Sequence, residues 1–127
     1  LSPDSIAEFV LPYQERALAA FGGGFIHYCG DNAALYDGEL RSPMVRGVNF
    51  GNPERYDFAV VIPQLIEAGK CYAGSIPRRD EESLTDYFRR IIGYTGGTRK
   101  GLIFSPSLLP EESAEPQRVV DLWRSLQ

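Results

Sequence analysis

Four short apolar runs, Gly24 to Cys29, Met44 to Phe50, Lys70 to Ile76 and Gly101 to Ser105, alternate with stretches of helical spacing along the whole chain. Runs of this length bounded by glycine and proline read as strands, and strands alternating with helices read as parallel β/α units. No linker or low-complexity break interrupts the alternation, so residues 1–127 are read as a single domain. Ser2-Pro3-Asp4 offers a capping hydroxyl, a proline at the first helical position and an early acid. The helix it opens carries Ile6, Phe9, Val10, Tyr13, Ala17 and Leu18 and is expected to run to about Phe21, kinked at Pro12. A short helix is expected over Asn32 to Leu40, and another from Asn52-Pro53-Glu54 through Tyr56 to Ala68, disturbed at Pro63. Asp80-Glu81-Glu82 places negative charge where a helix N-terminus favours it, ahead of an apolar face of Leu84, Tyr87, Phe88, Ile91 and Ile92. A last helix spans about Pro116 to Leu126.

Two architectures accept four such units: an open doubly wound sheet, or half of a (β/α)8 barrel, whose usual length of about 250 residues is twice this one. Periodicity does not separate them. In both, chemistry gathers at the carboxyl ends of the strands, where this chain places His27, Cys29 and Asp31, then Asn49, Ser75, Ser105 and Ser107. The only glycine triplet, Gly22-Gly23-Gly24, precedes its strand instead of following it, which disfavours a nucleotide phosphate loop.

The composition narrows the class of partner. A chain of 127 residues with 43% apolar content buries a real core. A net charge of −4 and a pI near 5.0 offer no basic face for nucleic acid. No apolar stretch is long enough for a membrane span, so no membrane partner is expected and the chain reads as cytoplasmic. Two cysteines far apart, Cys29 and Cys71, match neither a disulfide framework nor a structural zinc motif, and are expected to be reduced. The chain opens on Leu1 directly at a helix start, which is read as a segment of something longer.

His27-Tyr28-Cys29-Gly30 carries the sharpest chemical signal. Residues i and i+2 of a strand share a face, so the only imidazole and a thiol project together from the strand's end. That pairing suits zinc or a reactive centre, although a zinc site needs a third protein ligand. The competing reading is a histidine hydrogen-bonded at a strand end beside a packed thiol. Cys71, near the start of its strand, lies at the opposite end from Cys29 and reads as a small buried filler. Asp31, Asn49 and Arg79 are the candidates for holding substrate. Asp31 also suits a general acid, a partner that orients His27, or a helix cap. Arg78-Arg79 suits bidentate pairing with substrate carboxylates, or a solvated loop beside Asp80, Glu81 and Glu82. Tyr87, Phe88 and Trp123 read as core or interface.

Ser2-Pro3 with Glu8-Phe9-Val10-Leu11-Pro12-Tyr13, His27-Tyr28-Cys29-Gly30-Asp31, Asn49-Phe50-Gly51 and Gly69-Lys70 through Gly74 together resemble the C-terminal half of the uroporphyrinogen decarboxylase superfamily. The resemblance covers essentially the whole chain. It implies half of a (β/α)8 barrel and one of two activities. The first is porphyrinogen decarboxylation, which needs no cofactor. The second is zinc-dependent methyl transfer from a methylated corrinoid to a thiol, in which the His-x-Cys pattern supplies two zinc ligands. The partners implied are correspondingly a porphyrinogen, or a corrinoid with a thiol.

Two departures accompany the resemblance. The methyltransferases carry their third zinc ligand, a cysteine, just after the last of these strands; here that stretch reads Phe104-Ser105-Pro106-Ser107-Leu108-Leu109-Pro110, with no cysteine and no histidine. The arginines and aspartate used by the decarboxylases lie in the other half of the barrel. The alternative expectation is therefore a non-catalytic, truncated or degenerate member acting as a ligand-binding or assembly module. A half barrel also exposes strand edges, so either self-association or an N-terminal half-barrel is expected to cover them.

Overall fold

The computed structural model describes residues 1–126. Its four strands, β1 (Gly24–Tyr28), β2 (Val45–Phe50), β3 (Cys71–Gly74) and β4 (Leu102–Phe104), are all parallel and neighbour one another in chain order. The helices are α1 (Pro3–Phe9), α2 (Leu11–Ala19), α3 (Ala33–Arg41), α4 (Phe58–Glu67), α5 (Leu84–Tyr94), α6 (Pro110–Ser113) and α7 (Pro116–Ser125). The chain is thus an α/β protein on a parallel sheet. Strand order equal to chain order leaves no reversal among the described strands, the feature at which a doubly wound sheet opens its ligand crevice. No described helix is long and apolar enough to cross a membrane.

Successive crossovers that step the same way, with the usual right hand, all lie on one side of a sheet. The burial follows that rule. Ile26, Tyr28, Val48, Phe50, Tyr72, Leu102 and Phe104 pack with Phe58, Ile62 and Leu65 of α4, Phe88 and Ile91 of α5 and Val119 of α7. Phe25, His27, Cys29, Ile103 and Ser105, from alternate positions, are exposed on the other face. Among the described residues the sheet is therefore covered by helices on one side only.

Local chemistry sets the element ends. The Ser2 hydroxyl accepts from Ser5 N, Asn32 Oδ1 from Leu35 N, Asp57 Oδ1 from Ala59 N and the Ser83 hydroxyl from Asp86 N, each satisfying an otherwise free first-turn amide. The first helix is two helices, not one kinked helix. Pro12 has no N–H to donate and its ring crowds the carbonyl four residues back. The chain turns at Val10, and Pro12 falls in the first turn of α2, where a missing donor costs nothing. Pro53 likewise opens only a 3-10 turn, Pro53–Arg55, and α4 starts afresh at the Asp57 cap. Pro63 does not interrupt α4. Asp80, Glu81 and Glu82 stay in the loop before α5, with Glu81 at φ 57°, because Ser83 is the residue that caps the helix. β3 ends at Gly74, two residues before Ile76.

Candidate functional site

The His27-to-Gly30 tetrapeptide is held at Tyr28 and at Gly30 by the segment that follows β2. Gly51 N donates to Tyr28 O at 2.9 Å, Asn52 Oδ1 accepts from Gly30 N at 2.8 Å, and the Tyr56 hydroxyl donates to Gly30 O at 2.9 Å. Tyr56 is itself fixed by stacking on Phe50, with ring centroids 3.7 Å apart and planes 5° from parallel. Gly30 takes φ 82°, a left-handed turn that releases the chain from β1 toward the Asn32 cap. Gly51 leaves room for the thiol: a Cβ there would lie 2.4 Å from Cys29 Sγ.

Within that frame the imidazole bridges two strands. His27 Nδ1 lies 2.5 Å from Asn49 Oδ1 on β2, and His27 Nε2 lies 3.8 Å from Cys29 Sγ. Asn49 Nδ2 donates in turn to the carbonyl of Ala73 on β3. The parallel register makes this possible by setting His27 beside Asn49. A thiol, an imidazole and an amide thus form one connected row across β1, β2 and β3 on the open face.

The other sequence candidates lie elsewhere. Asp31 is exposed and pairs with Arg55, Nη1 to Oδ1 3.7 Å; Asn32 caps the following helix and Asn49 holds His27. Arg78 is committed to Glu112 through two hydrogen bonds of 2.6 and 3.1 Å, while its Nε donates to Glu82 O. Arg79 donates its backbone N–H to Glu82 Oε2. Cys71 is level with Gly47, which is level with Phe25, so it sits four residues below the Cys29 level, roughly 13 Å along the strands. Burial pushes its thiol above the ordinary range. Tyr87 and Phe88 are buried and Trp123 packs against Phe88, consistent with core positions.

A tetrahedral zinc ion with Zn–N of about 2.05 Å and Zn–S of about 2.3 Å holds its donors about 3.5 Å apart. The 3.8 Å between Nε2 and Sγ fits one edge of that tetrahedron, and the hydrogen bond at Nδ1 is the outer support that a ligating histidine uses. Among the described residues no group of three His, Cys, Asp or Glu completes such a site. The pair therefore supplies two corners, and a third protein ligand would have to come from outside this cluster.

Two buried polar groups escape a reading based on patterns. Lys70 Nζ donates to Ser42 O at 2.6 Å and Val45 O at 2.7 Å, tying the entry of β2 to the start of β3. Glu39, wholly buried on α3, accepts from Gln14 Nε2 at 3.2 Å through Oε1, while its Oε2 has no partner among the described residues. The signal for Asn49 was its register with His27, which depends on strand pairing and not on any local motif. No family model, no curated protein and no solved structure matches this chain.

Proposed function

We propose that the chain is the C-terminal half of a (β/α)8 barrel of the uroporphyrinogen decarboxylase superfamily, on its methyltransferase side, with His27 and Cys29 as two ligands of a zinc ion. The observation that carries this reading is the 3.8 Å approach of Nε2 to Sγ at the carboxyl end of β1. The consecutive parallel order β1-β2-β3-β4 and its helix-free face are what half of such a barrel has, since a barrel turns that face inward. Zinc bound there would lower the pKa of a substrate thiol and present the thiolate to a methyl donor such as a methylated corrinoid. The chain's own residues supply the rest. Asn49 holds the imidazole, Asn52 and Tyr56 hold the turn at Gly30, and Gly51 admits the thiol.

Metal content measured after zinc loading and desalting tests the reading. One zinc per site is expected, lost in His27→Ala and in Cys29→Ser; a chain that retains none, or retains it equally in both variants, overturns it. A ligand-binding or assembly module without chemistry is the second reading. It is favoured by the rim after β4, where Ser105, Pro106 and Ser107 present no soft donor. Decarboxylation has less support, because Arg78 is already occupied by Glu112 and the resemblance puts the arginines and aspartate of that reaction in the other half of the barrel.

A further inference from the structure

We infer that Asn49 is a positioning residue that locks His27 in the Nδ1–H tautomer, so that the nitrogen facing Cys29 carries the free lone pair. A backbone carbonyl can only accept a hydrogen bond. The amide end of Asn49 that meets Ala73 O must therefore be its NH2 group, which fixes the side chain's orientation independently of how its two ends are assigned. The other end, Oδ1, is then an acceptor facing His27 Nδ1 at 2.5 Å. An acceptor at that distance requires a proton on Nδ1, and in the neutral ring Nε2 is left unprotonated. That nitrogen is the one 3.8 Å from Cys29 Sγ.

The surroundings enforce the orientation. Asn49 reaches Ala73 O across Gly74, where a Cβ would lie 2.4 Å from Asn49 Nδ2, and Gly74 adopts φ 157°. A side chain at position 74 would displace the amide. The order of control thus runs from a β3 carbonyl, through a β2 amide, to a β1 imidazole. Aspartate at position 49 would keep an acceptor for Nδ1 but set a carboxylate oxygen against the Ala73 carbonyl. Leucine of similar shape would offer neither group.

A single histidine makes the test direct, because every imidazole nitrogen signal belongs to His27. Long-range 1H–15N correlation spectra of the metal-free chain, recorded over a pH series and read on the plateau where the ring is neutral, report which nitrogen carries the proton. The expected result is a protonated Nδ1 and an unprotonated Nε2, reverting to the opposite tautomer or to a mixture in Asn49→Leu. A protonated Nε2 in the native chain overturns the inference even if the leucine variant fails to fold. A folded Asn49→Leu that keeps the native tautomer overturns it as well.

Zinc affinity gives a second readout, and this arm alone rests on the function proposed above. Asn49→Leu is expected to weaken zinc binding roughly 10- to 100-fold, with partial recovery in Asn49→Asp. The two failures are distinguishable. The expected tautomer in a chain that binds no zinc sinks the zinc reading and leaves Asn49 its role, whereas zinc bound by a chain with Nε2 protonated does the reverse.

Discussion

Glu39 is a carboxyl group placed where water does not reach. It is 0% exposed, with Gln14 as its hydrogen-bond partner and the phenols of Tyr28, Tyr36 and Tyr56 near enough to feel its charge. Loss of hydration pushes its pKa up from 4.5 to about 7. Between those values the folded state holds a proton that the unfolded state releases, so raising the pH removes stability. The stabilisation is complete below about 4.5 and is lost as the pH rises through about 7. Urea unfolding is expected to show the chain less stable at high than at low pH across this window, by about 3 kcal/mol from this group. Glu39→Gln, neutral at every pH, should flatten that dependence and unfold later than the native chain above the window. An unchanged slope in the variant would mean that the proton is held elsewhere. The position looked unremarkable in sequence, one acid among the polar residues of a short helix. Its burial comes from the docking of α2, which brings Gln14 and Leu11 against α3, with Leu11 packed over Gly38.

Element types were largely legible because each rests on a local cause. The helices begin where Ser2, Asn32 and Ser83 provide an oxygen for a free amide, and the strands fall on the four apolar runs. What patterns did not resolve were the breaks set by geometry. Pro12 divides α1 from α2, whereas Pro63 leaves α4 whole, and the same residue type misleads in opposite directions. The short helix α6 has no strong local pattern, and one of its anchors is distant in sequence. Glu112 both accepts from Leu109 N at 2.8 Å, closing the first turn of α6, and takes the two Arg78 hydrogen bonds from the loop after β3. That pairing holds the Arg78 guanidinium and the Glu112 carboxyl in their charged forms, the carboxyl below its usual range. Glu112→Ala leaves Arg78, only 12% exposed, without its partner, and is expected to cost about 2–3 kcal/mol. Chemical denaturation of the single variant beside an Arg78→Met/Glu112→Ala pair measures it. The double variant should recover part of the loss, because the larger share of the penalty is an unpaired buried charge and not a missing attraction.

At the scale of the whole molecule, the candidate site and the uncovered sheet are one fact. Parallel sheets are normally covered on both faces, and this one leaves Phe25 47% and Ile103 58% exposed on the face that carries His27, Cys29 and Asn49. β1 and β4 are its two edges, each with an unpaired row of backbone groups parallel to the other. The consecutive strand order was readable only as an ambiguity between two architectures, since periodicity says which segments are strands and not which of them touch. The pairing of His27 with Asn49 and of Asn49 with Ala73 became visible only with the register. The proposed half-barrel needs something to cover that face and close those edges. The chain alone is therefore expected to self-associate, with light scattering giving a mass well above the 14.1 kDa of one copy. Phe25→Lys with Ile103→Lys puts two charges on the open face, away from the helix-side core, and should shift the mass toward one copy with little loss of thermal stability. A native chain that stays a compact monomer at all concentrations would show that the open face needs no cover, and the half-barrel would then lose its physical basis.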